Sequence, residues 1–330
     1  MKIMKGIIMQ PKLFMVFLLL CGILISCTVY LLADTYEGPV VNENVDLNQY
    51  IPFSAGNKLA VLNGESSLKL NENLPRLDGA TALYPVYASF AQAVYPAREN
   101  YRLPYGLVGC TRTDTAFSRL IYGREDIIFT TAPSQEQTAE ALENGKKFSL
   151  TPIGKEAFVF FVNKSNTIND ITTEQIRKIY SGEITNWEQL GGENAEIAAF
   201  QRPPNSGSQT TLESIMGGTP IMNAPVNRIP SGMGELIDEV AAYTNLGNAI
   251  GYSFLFFATE MVNNDQIKLL SIDGKFPTAQ TIRSNEYPFT VMFYAITTGN
   301  DTTNMRRLIE WILSNEGQYL IEKTGYTPIR

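Results

Sequence analysis

The stretch PIGKEAFVFFVN, residues 152–163, decides how the rest of this sequence is interpreted. Its centre, AFVFFV at residues 157–162, is an uninterrupted apolar run of strand length, rich in phenylalanine and valine. A run with no polar face is typical of a strand covered on both sides. We therefore predict a central strand at residues 156–163 and expect helices to pack against it.

Helical and strand-like patterns alternate on both sides of this strand. Helical periodicity occurs at residues 83–94, 117–122, 135–144 and 173–180, and one final helix is predicted around residues 304–319. Strands are predicted at residues 126–129, 197–200, 249–252, 267–270 and 289–296, with short strand-like pieces at 59–62 and 68–70. This alternation predicts an α/β protein with mostly parallel sheets.

Composition limits the function classes. With 330 residues, 44% of them hydrophobic, the chain can form one large or two medium domains. It contains no histidine, which excludes Ser-His-Asp and Cys-His nucleophile systems and removes the main ligand of common zinc sites. Neither a G-x-x-x-x-G-K-[ST] loop nor a G-x-G-x-x-G fingerprint is present. We predict a protein that is not an enzyme and that uses neither a metal nor another cofactor.

The first 33 residues have the pattern of a targeting segment, with three lysines before the apolar run at residues 13–25. LISC at residues 24–27 resembles the lipobox of bacterial lipoproteins and makes Cys27 the predicted lipidation site. An uncleaved anchor remains the alternative, because residues 13–33 are 21 residues and can span a bilayer. Both alternatives place the bulk of the chain outside the cytoplasm, anchored to the outer face of the bacterial cytoplasmic membrane.

Charge and cysteine content agree with this location. Only Cys110 remains outside the targeting segment, so no internal disulfide is possible there. The formal net charge is −7, and cleavage before Cys27 would remove three lysines and give −10 (−7 − 3). Such an acidic body argues against nucleic acid as a partner.

Three turns place small or hydroxyl residues at predicted helix starts. In FQRPPNSGSQTTLESIM, residues 200–216, Asn205 or Ser206 can cap a helix that opens near Ser208. Gly207 would let a ligand approach the backbone, and Arg202 offers a planar set of donors, so this turn can hold an oxyanion. GAT at residues 79–81 and TDT at 113–115 have the same design. The alternative is three ordinary helix caps, which use the same residue types.

Eight segments carry a resemblance to one protein family, in that family's order. They are DGATALYPVYASFAQAVYP (78–96), LIYGREDIIFTTAPSQEQ (120–137), PIGKEAFVFFVNKSN (152–166), TTEQIRKIYSGEITNWEQLGG (172–192), FQRPPNSGSQT (200–210), NAIGYSF (248–254), YPFTVMFYAIT (287–297) and GYTPI (325–329). Together they resemble the phosphate-binding proteins of bacterial ABC-type phosphate uptake systems. The resemblance covers residues 78 to the C-terminus.

The resemblance implies a two-lobed periplasmic-binding-protein-like fold of type II, with two mixed sheets flanked by helices and a two-strand hinge. Lobe one would comprise residues 70–157 plus 287–330 and lobe two residues 158–286, after a linker and edge segment at 34–69. The hinge would lie in strands 156–161 and 289–294. The family also implies a monomer that delivers inorganic phosphate to the permease of an ABC transporter.

Ligand residues follow from the same resemblance, position by position. The matching residues are Thr81, Ala82, Thr113, Thr131, Arg202, Ser206, Gly207 and Ser208. Members selective for phosphate carry carboxylates where this chain has Thr131 and Pro204. Asp114 or Asp78 can replace those acceptors, although Asp114 can equally be a helix N-cap. The ligand is therefore phosphate or a similar oxyanion such as sulfate or molybdate, and a surface sensor on the same fold is the alternative function.

Overall fold

The computed structural model describes residues 45–97, 100–242 and 248–329. The targeting segment predicted at residues 1–33, with Cys27, lies outside the described residues. Within the described ranges, no helix has both the length and the apolar content needed to cross a membrane.

Within the described residues, ten strands form one large and one small sheet. The large sheet runs in the order β1-β2-β9-β3-β6-β5, with β10 and β7 also paired to β3, and β4 pairs with β8 in the small sheet. The strands are β1 (Leu77–Gly79), β2 (Ile127–Thr130), β3 (Ser149–Asn163), β4 (Asp170–Ile171), β5 (Ala198–Ala199), β6 (Ala249–Phe254), β7 (Ile267–Leu269), β8 (Ser271–Ile272), β9 (Thr290–Thr297) and β10 (Thr327–Pro328).

The central strand β3 belongs to two groups of strands. Its first half pairs with β9 and β10, and from Phe158 onward it pairs with β6 and β7. The change of partner falls between Ala157 and Phe158, where the Phe158 N–H donates to the Phe289 carbonyl oxygen at 2.9 Å. The prediction of an α/β fold with mixed sheets is confirmed.

The prediction of mostly parallel sheets is wrong. Every pairing of β3 is antiparallel, and the parallel pairs are β1–β2, β5–β6 and β4–β8. The apolar run that suggested parallel strands reflects burial on both faces, because every side chain from Ala157 to Val162 is fully buried. Helices cover both faces of this sheet, and coverage alone, without strand direction, produces that sequence pattern.

Nine α-helices are described by the structure, and most of those predicted from periodicity are present. They are α1 (Tyr84–Val94), α2 (Thr113–Ile121), α3 (Gln135–Glu143), α4 (Thr173–Ser181), α5 (Gly207–Met216), α6 (Met233–Ala242), α7 (Ala279–Arg283), α8 (Thr303–Ile312) and α9 (Asn315–Thr324). The prediction of one final helix is wrong, because α8 ends at Ile312 and a new helix, α9, begins at Asn315. Gly317 allows this sharp turn, since a Cβ atom there would lie 2.3 Å from the Ile312 carbonyl oxygen.

The strand-like pieces at residues 59–62 and 68–70 are not strands. Their apolar side chains pack instead against the core formed by β1, β2, α1 and α9, where Leu59, Leu68 and Leu70 are buried. A second large cluster surrounds the second half of β3 and includes Phe158, Phe160 and other fully buried side chains. The two clusters lie on either side of the point where β3 changes partners.

Candidate functional site

Five stretches of the chain line one cleft of about 60 Å³, and three of them are the first (residues 80–82), second (112–114) and fourth (202–208) of the four ligand segments predicted from sequence. Eight of the nine ligand residues predicted from sequence line it, namely Thr81, Ala82, Thr113, Asp114, Arg202, Ser206, Gly207 and Ser208. The ninth, Thr131, belongs to the third ligand segment (residues 130–131) and lines a smaller adjoining cavity. The seven other lining residues, which the sequence analysis did not assign to the ligand, are Ala80, Arg112, Pro203, Pro204, Ser231, Met233 and Phe254.

Helix α5 points its N-terminus at the cleft. It begins at Gly207, and the Ser206 hydroxyl caps it by accepting from the Gln209 N–H at 3.3 Å. The Ser206 cap that the sequence offered as one alternative is therefore present. The helix dipole still brings partial positive charge to Gly207 and Ser208 in the cleft wall, so a cap and an anion site coexist here.

Arg202 places a buried guanidinium in the wall of this cleft. The side chain is only 6% exposed, which makes it a cation largely removed from water. Its backbone is fixed by a hydrogen bond from the Arg202 N–H to Gln209 Oε1 at 3.0 Å, and the Tyr252 hydroxyl donates to the same oxygen. The Gln209 amide thus connects Arg202 to the first turn of α5, so that the charge and the helix N-terminus face the same space.

Gly207 brings the fourth segment against the second and third. A Cβ atom at this position would lie 2.9 Å from Thr113 Oγ1 and 3.3 Å from Thr131 Oγ1. The first distance is shorter than real Cβ contacts, so a side chain here would push these threonines away. Glycine is required because the helix start approaches two hydroxyl groups of other segments.

Asn205 joins the same segment to the start of α3. Its backbone has φ 63°, a left-handed conformation that asparagine tolerates better than most residues. Its side chain accepts from Ser134 Oγ at 2.7 Å and donates to Glu136 Oε2 at 2.8 Å, and Gln137 Nε2 donates to its carbonyl oxygen at 3.2 Å. The sequence analysis considered Asn205 only as a cap, and its role in the structure is a bridge.

Asp78 does not line the cleft, and the prediction that it can act as the missing ligand acceptor is not supported by its position. The carboxylate is fully buried and accepts from the Gly79 N–H at 2.7 Å and from the N–H and hydroxyl of Thr111. Arg119 Nε lies 3.5 Å away. Burial raises the pKa of Asp78 to about 6, and the hydrogen bonds from Thr111 oppose that shift. Asp78 therefore fixes the first two cleft segments to each other.

Asp114 is exposed and lines the cleft in the first turn of α2. The alternative that it is the N-cap is wrong, because Arg112 holds that position, with φ 72°. The guanidinium-bearing Arg112 also lines the cleft and was missed from sequence. The position of Arg112 directly before the hydroxyl-rich TDT turn is the sequence feature that could have assigned it to the cleft. Two arginines and one carboxylate thus line the cleft.

An inner cavity of about 20 Å³ adjoins the cleft and shares five wall residues with it. Thr131 and Glu156 line this cavity, together with Thr130, Leu83, Phe293 and Tyr326. Burial raises the pKa of the Glu156 carboxyl to about 8, although N–H groups of Ala157 and Phe256 oppose the shift. A carboxyl with this pKa is mostly neutral at pH 7. Sequence gave no sign of Glu156, since it stands at the edge of an apolar strand.

Acidic residues do not gather into a cation site. No group of three or more aspartate, glutamate or cysteine side chains is close enough to hold a metal ion in the ranges 45–97, 100–242 and 248–329. The polar groups of the cleft are mainly hydroxyls, guanidinium groups and a helix N-terminus, which are hydrogen-bond donors suited to an anion.

Comparison with known proteins places this architecture in a family. The profile of the PBP superfamily domain matches residues 73–316. This chain belongs to the PBP superfamily. The phosphate-binding protein PstS of Borreliella burgdorferi is 24% identical to it over 267 residues, 79% of this chain and 91% of that protein. PstS of Bacillus subtilis is 28% identical over 170 residues, 51% of this chain and 53% of that protein.

Solved structures agree on the fold. A Clostridium perfringens protein described as a phosphate ABC transporter substrate-binding protein, with bound phosphate, has a TM-score of 0.59 at 22% identity, covering 77% of this chain and 98% of that one. An ABC-type phosphate transport receptor from Vibrio cholerae has a TM-score of 0.56 at 20% identity, covering 76% and 98%. The resemblance and the fold class predicted from sequence are confirmed.

Proposed function

We propose that this chain is the extracytoplasmic solute-binding protein of an ABC-type transport system and that it captures inorganic phosphate in the cleft. The observation that carries the proposal is the convergence of the first, second and fourth segments on one cleft around the buried Arg202 guanidinium. A buried cation, a helix N-terminus and several hydroxyls are a donor set for a tetrahedral oxyanion. The relatives named PstS make phosphate the first choice.

The same proposal includes the organisation of the chain. Residues 70–157 plus 287–330 would form one lobe and residues 158–286 the other, hinged where β3 changes partners. Lipidation at Cys27, or an uncleaved anchor, would hold the protein at the outer face of the cytoplasmic membrane. It would act as a monomer, without enzymatic activity, and pass phosphate to the permease of its transporter.

Calorimetric titration of the purified residues 45–330 with phosphate, arsenate, sulfate and molybdate tests the function. We expect phosphate and arsenate to bind, because both present the same protonated tetrahedral oxyanion to the cleft. Absence of binding by all four anions would refute the proposal. Preferential binding of sulfate or molybdate would support the second candidate, a protein for another oxyanion. That candidate is favoured by Thr131 and Pro204, because neither residue has a carboxylate that could accept a hydrogen bond from protonated phosphate.

Asp114 is proposed as the acceptor that distinguishes phosphate from sulfate. Protonated phosphate carries an O–H that needs an acceptor, and an unpaired hydroxyl in a closed site costs about 1–3 kcal/mol. We expect Asp114→Asn to lower the ratio of phosphate to sulfate affinity several-fold, because an amide donates as well as accepts. Titration of both anions into both proteins measures this ratio. An unchanged ratio would remove Asp114 from the selectivity mechanism.

The Asn205 bridge is expected to contribute to ligand affinity. Asn205→Gly keeps the left-handed backbone but deletes the side-chain bonds to Ser134 and Glu136. At about 1 kcal/mol for each hydrogen bond, phosphate affinity should fall about 5–30-fold. The matched control is Asn73→Gly, also at positive φ but away from the cleft, which should leave affinity unchanged. Equal affinity in the two variants would contradict the bridging role.

A further inference from the structure

Among the buried side-chain oxygen atoms of the described residues that lack a hydrogen-bond partner, two belong to residues that line the same inner cavity. They are Thr131 Oγ1 and Glu156 Oε2. Buried polar atoms are nearly always satisfied, by protein groups or by water, so two in one small space indicate a shared partner. A volume of about 20 Å³ is enough for one water molecule.

Besides the N–H groups of Ala157 and Phe256, which act on the Glu156 carboxyl, the described residues give its Oε2 atom no hydrogen-bond partner. The other oxygen, Oε1, accepts from the Ala157 N–H at 3.0 Å. Tyr326 is the other titratable side chain in the cavity wall, and its hydroxyl donates to the Ala82 carbonyl oxygen. The neighbouring Lys155 ammonium donates to Asn285 at an exposed position.

Charged groups of the outer cleft complete the surroundings of Glu156. They are Arg112, Asp114 and Arg202, which line the cleft without lining the inner cavity. The cavity wall contains no basic side chain, so only the N–H groups of Ala157 and Phe256 favour an ionised carboxylate, and burial outweighs them. The Glu156 carboxyl therefore has the surroundings of a neutral acid, with one O–H to donate.

We propose that Glu156 is a specificity-determining group of the anion site: as a neutral acid it donates to the water of the inner cavity, which donates to Thr131 Oγ1. Thr131 then directs its own proton to the bound oxyanion. This inference rests on the proposed function and deepens it. Thr131 lies next to the anion cleft, since its Oγ1 is 3.3 Å from the Cβ position of Gly207, a residue that lines both the inner cavity and the cleft.

The consequence for ligand choice is that the oxygen facing Thr131 is unprotonated. A carboxylate at position 131 would accept a hydrogen bond from protonated phosphate. Thr131 in this arrangement instead donates a hydrogen bond to the anion. A doubly charged anion in the cleft also favours the neutral form of Glu156. At a pH where the free protein has ionised this group, anion binding must take up a proton from solvent.

Calorimetry of inorganic phosphate binding at pH 9, in two buffers of different ionisation enthalpy, counts that proton. Most of the Glu156 carboxyl of the free protein is ionised at this pH, so we expect uptake of more than about half a proton per phosphate. Glu156→Gln should take up none and bind phosphate about five- to tenfold more tightly than the parent at pH 9, because its amide donates without first taking up a proton. The control Glu310→Gln, at an exposed helix position, should retain the uptake of the parent.

Thr131→Val provides a second variant that does not touch Glu156. We expect it to weaken phosphate binding about 5–30-fold and to reduce proton uptake, because the chain of donors is broken. Phosphate binding by the parent without proton uptake would overturn the inference and leave the proposed function standing. Unchanged uptake in Glu156→Gln, or parental affinity and uptake in Thr131→Val, would overturn it as well. No phosphate binding by the parent would overturn both.

Discussion

Replacing Arg202 by alanine is expected to weaken phosphate binding by tens-fold or more, about 2–5 kcal/mol. The guanidinium is 6% exposed and lines the cleft, so its interaction with an anion is little screened by water. The α5 N-terminus and the hydroxyls carry no full charge, and Arg112, the other arginine of the cleft, is less buried than Arg202. Isothermal calorimetry on the parent and the variant measures the loss directly.

Two further variants separate the charge of Arg202 from its shape and from general effects. Arg202→Lys keeps the charge but loses the planar pair of donors, and we expect an affinity between those of the parent and the alanine variant. Arg283→Ala removes an exposed arginine that pairs with Glu322, and phosphate affinity should not change. Parental affinity in Arg202→Ala would show that the anion binds elsewhere.

The second large effect concerns stability and pH at Glu156. The ordinary pKa of this carboxyl is 4.5 and burial raises it to about 8. Below pH 4.5 the group is protonated in both folded and unfolded chains, so it does not lower the free energy of unfolding. As pH rises toward 8, the Glu156 carboxyl ionises in the unfolded chain but not in the folded one, so the free energy of unfolding falls. Above pH 8 the carboxyl is ionised in both states, and the free energy of unfolding falls no further on its account.

Glu156→Gln removes this dependence. The difference in free energy of unfolding, variant minus parent, should grow by about 3–5 kcal/mol between pH 4.5 and pH 9. Asp78 and Glu125, whose pKa values burial also raises, are present in both proteins and cancel in the difference. Denaturant unfolding at the two pH values measures it, and Glu310→Gln should stay within about 0.5 kcal/mol throughout. A difference that does not grow with pH would mean that Glu156 ionises freely in the fold.

Much of the anion cleft could be predicted from the sequence, because helix starts with hydroxyl residues are local patterns. The loops that contain Thr81, Thr113 and Arg202 were recognised one by one, and the family resemblance placed them around one ligand. Their convergence itself depends on sheet order, which no local pattern encodes. Arg112 and Asp114 show the limit, since the exact start of α2 decides which of them caps the helix.

Strand direction and the inner cavity could not be predicted for a related reason. An apolar run such as residues 157–162 reports burial on two faces, and both parallel and antiparallel strands meet that condition. Glu156 precedes the run by one residue, and only the packing of Phe254, Phe293 and Tyr326 around it makes it a buried acid. Long-range packing of this kind leaves no periodic pattern in the sequence.

The position of β9 in the sheet has a consequence for the order of folding. β9 lies between β2 and β3 and pairs with both, and β10 also pairs with β3. Residues 77–157 therefore cannot complete their sheet until residues 290–328 have been synthesised. Contacts so far apart in the chain form slowly. The sheet of β1, β2 and the first half of β3 thus stays incomplete until the last strands are synthesised, and an incompletely folded chain is the state in which a protein can be threaded across a membrane.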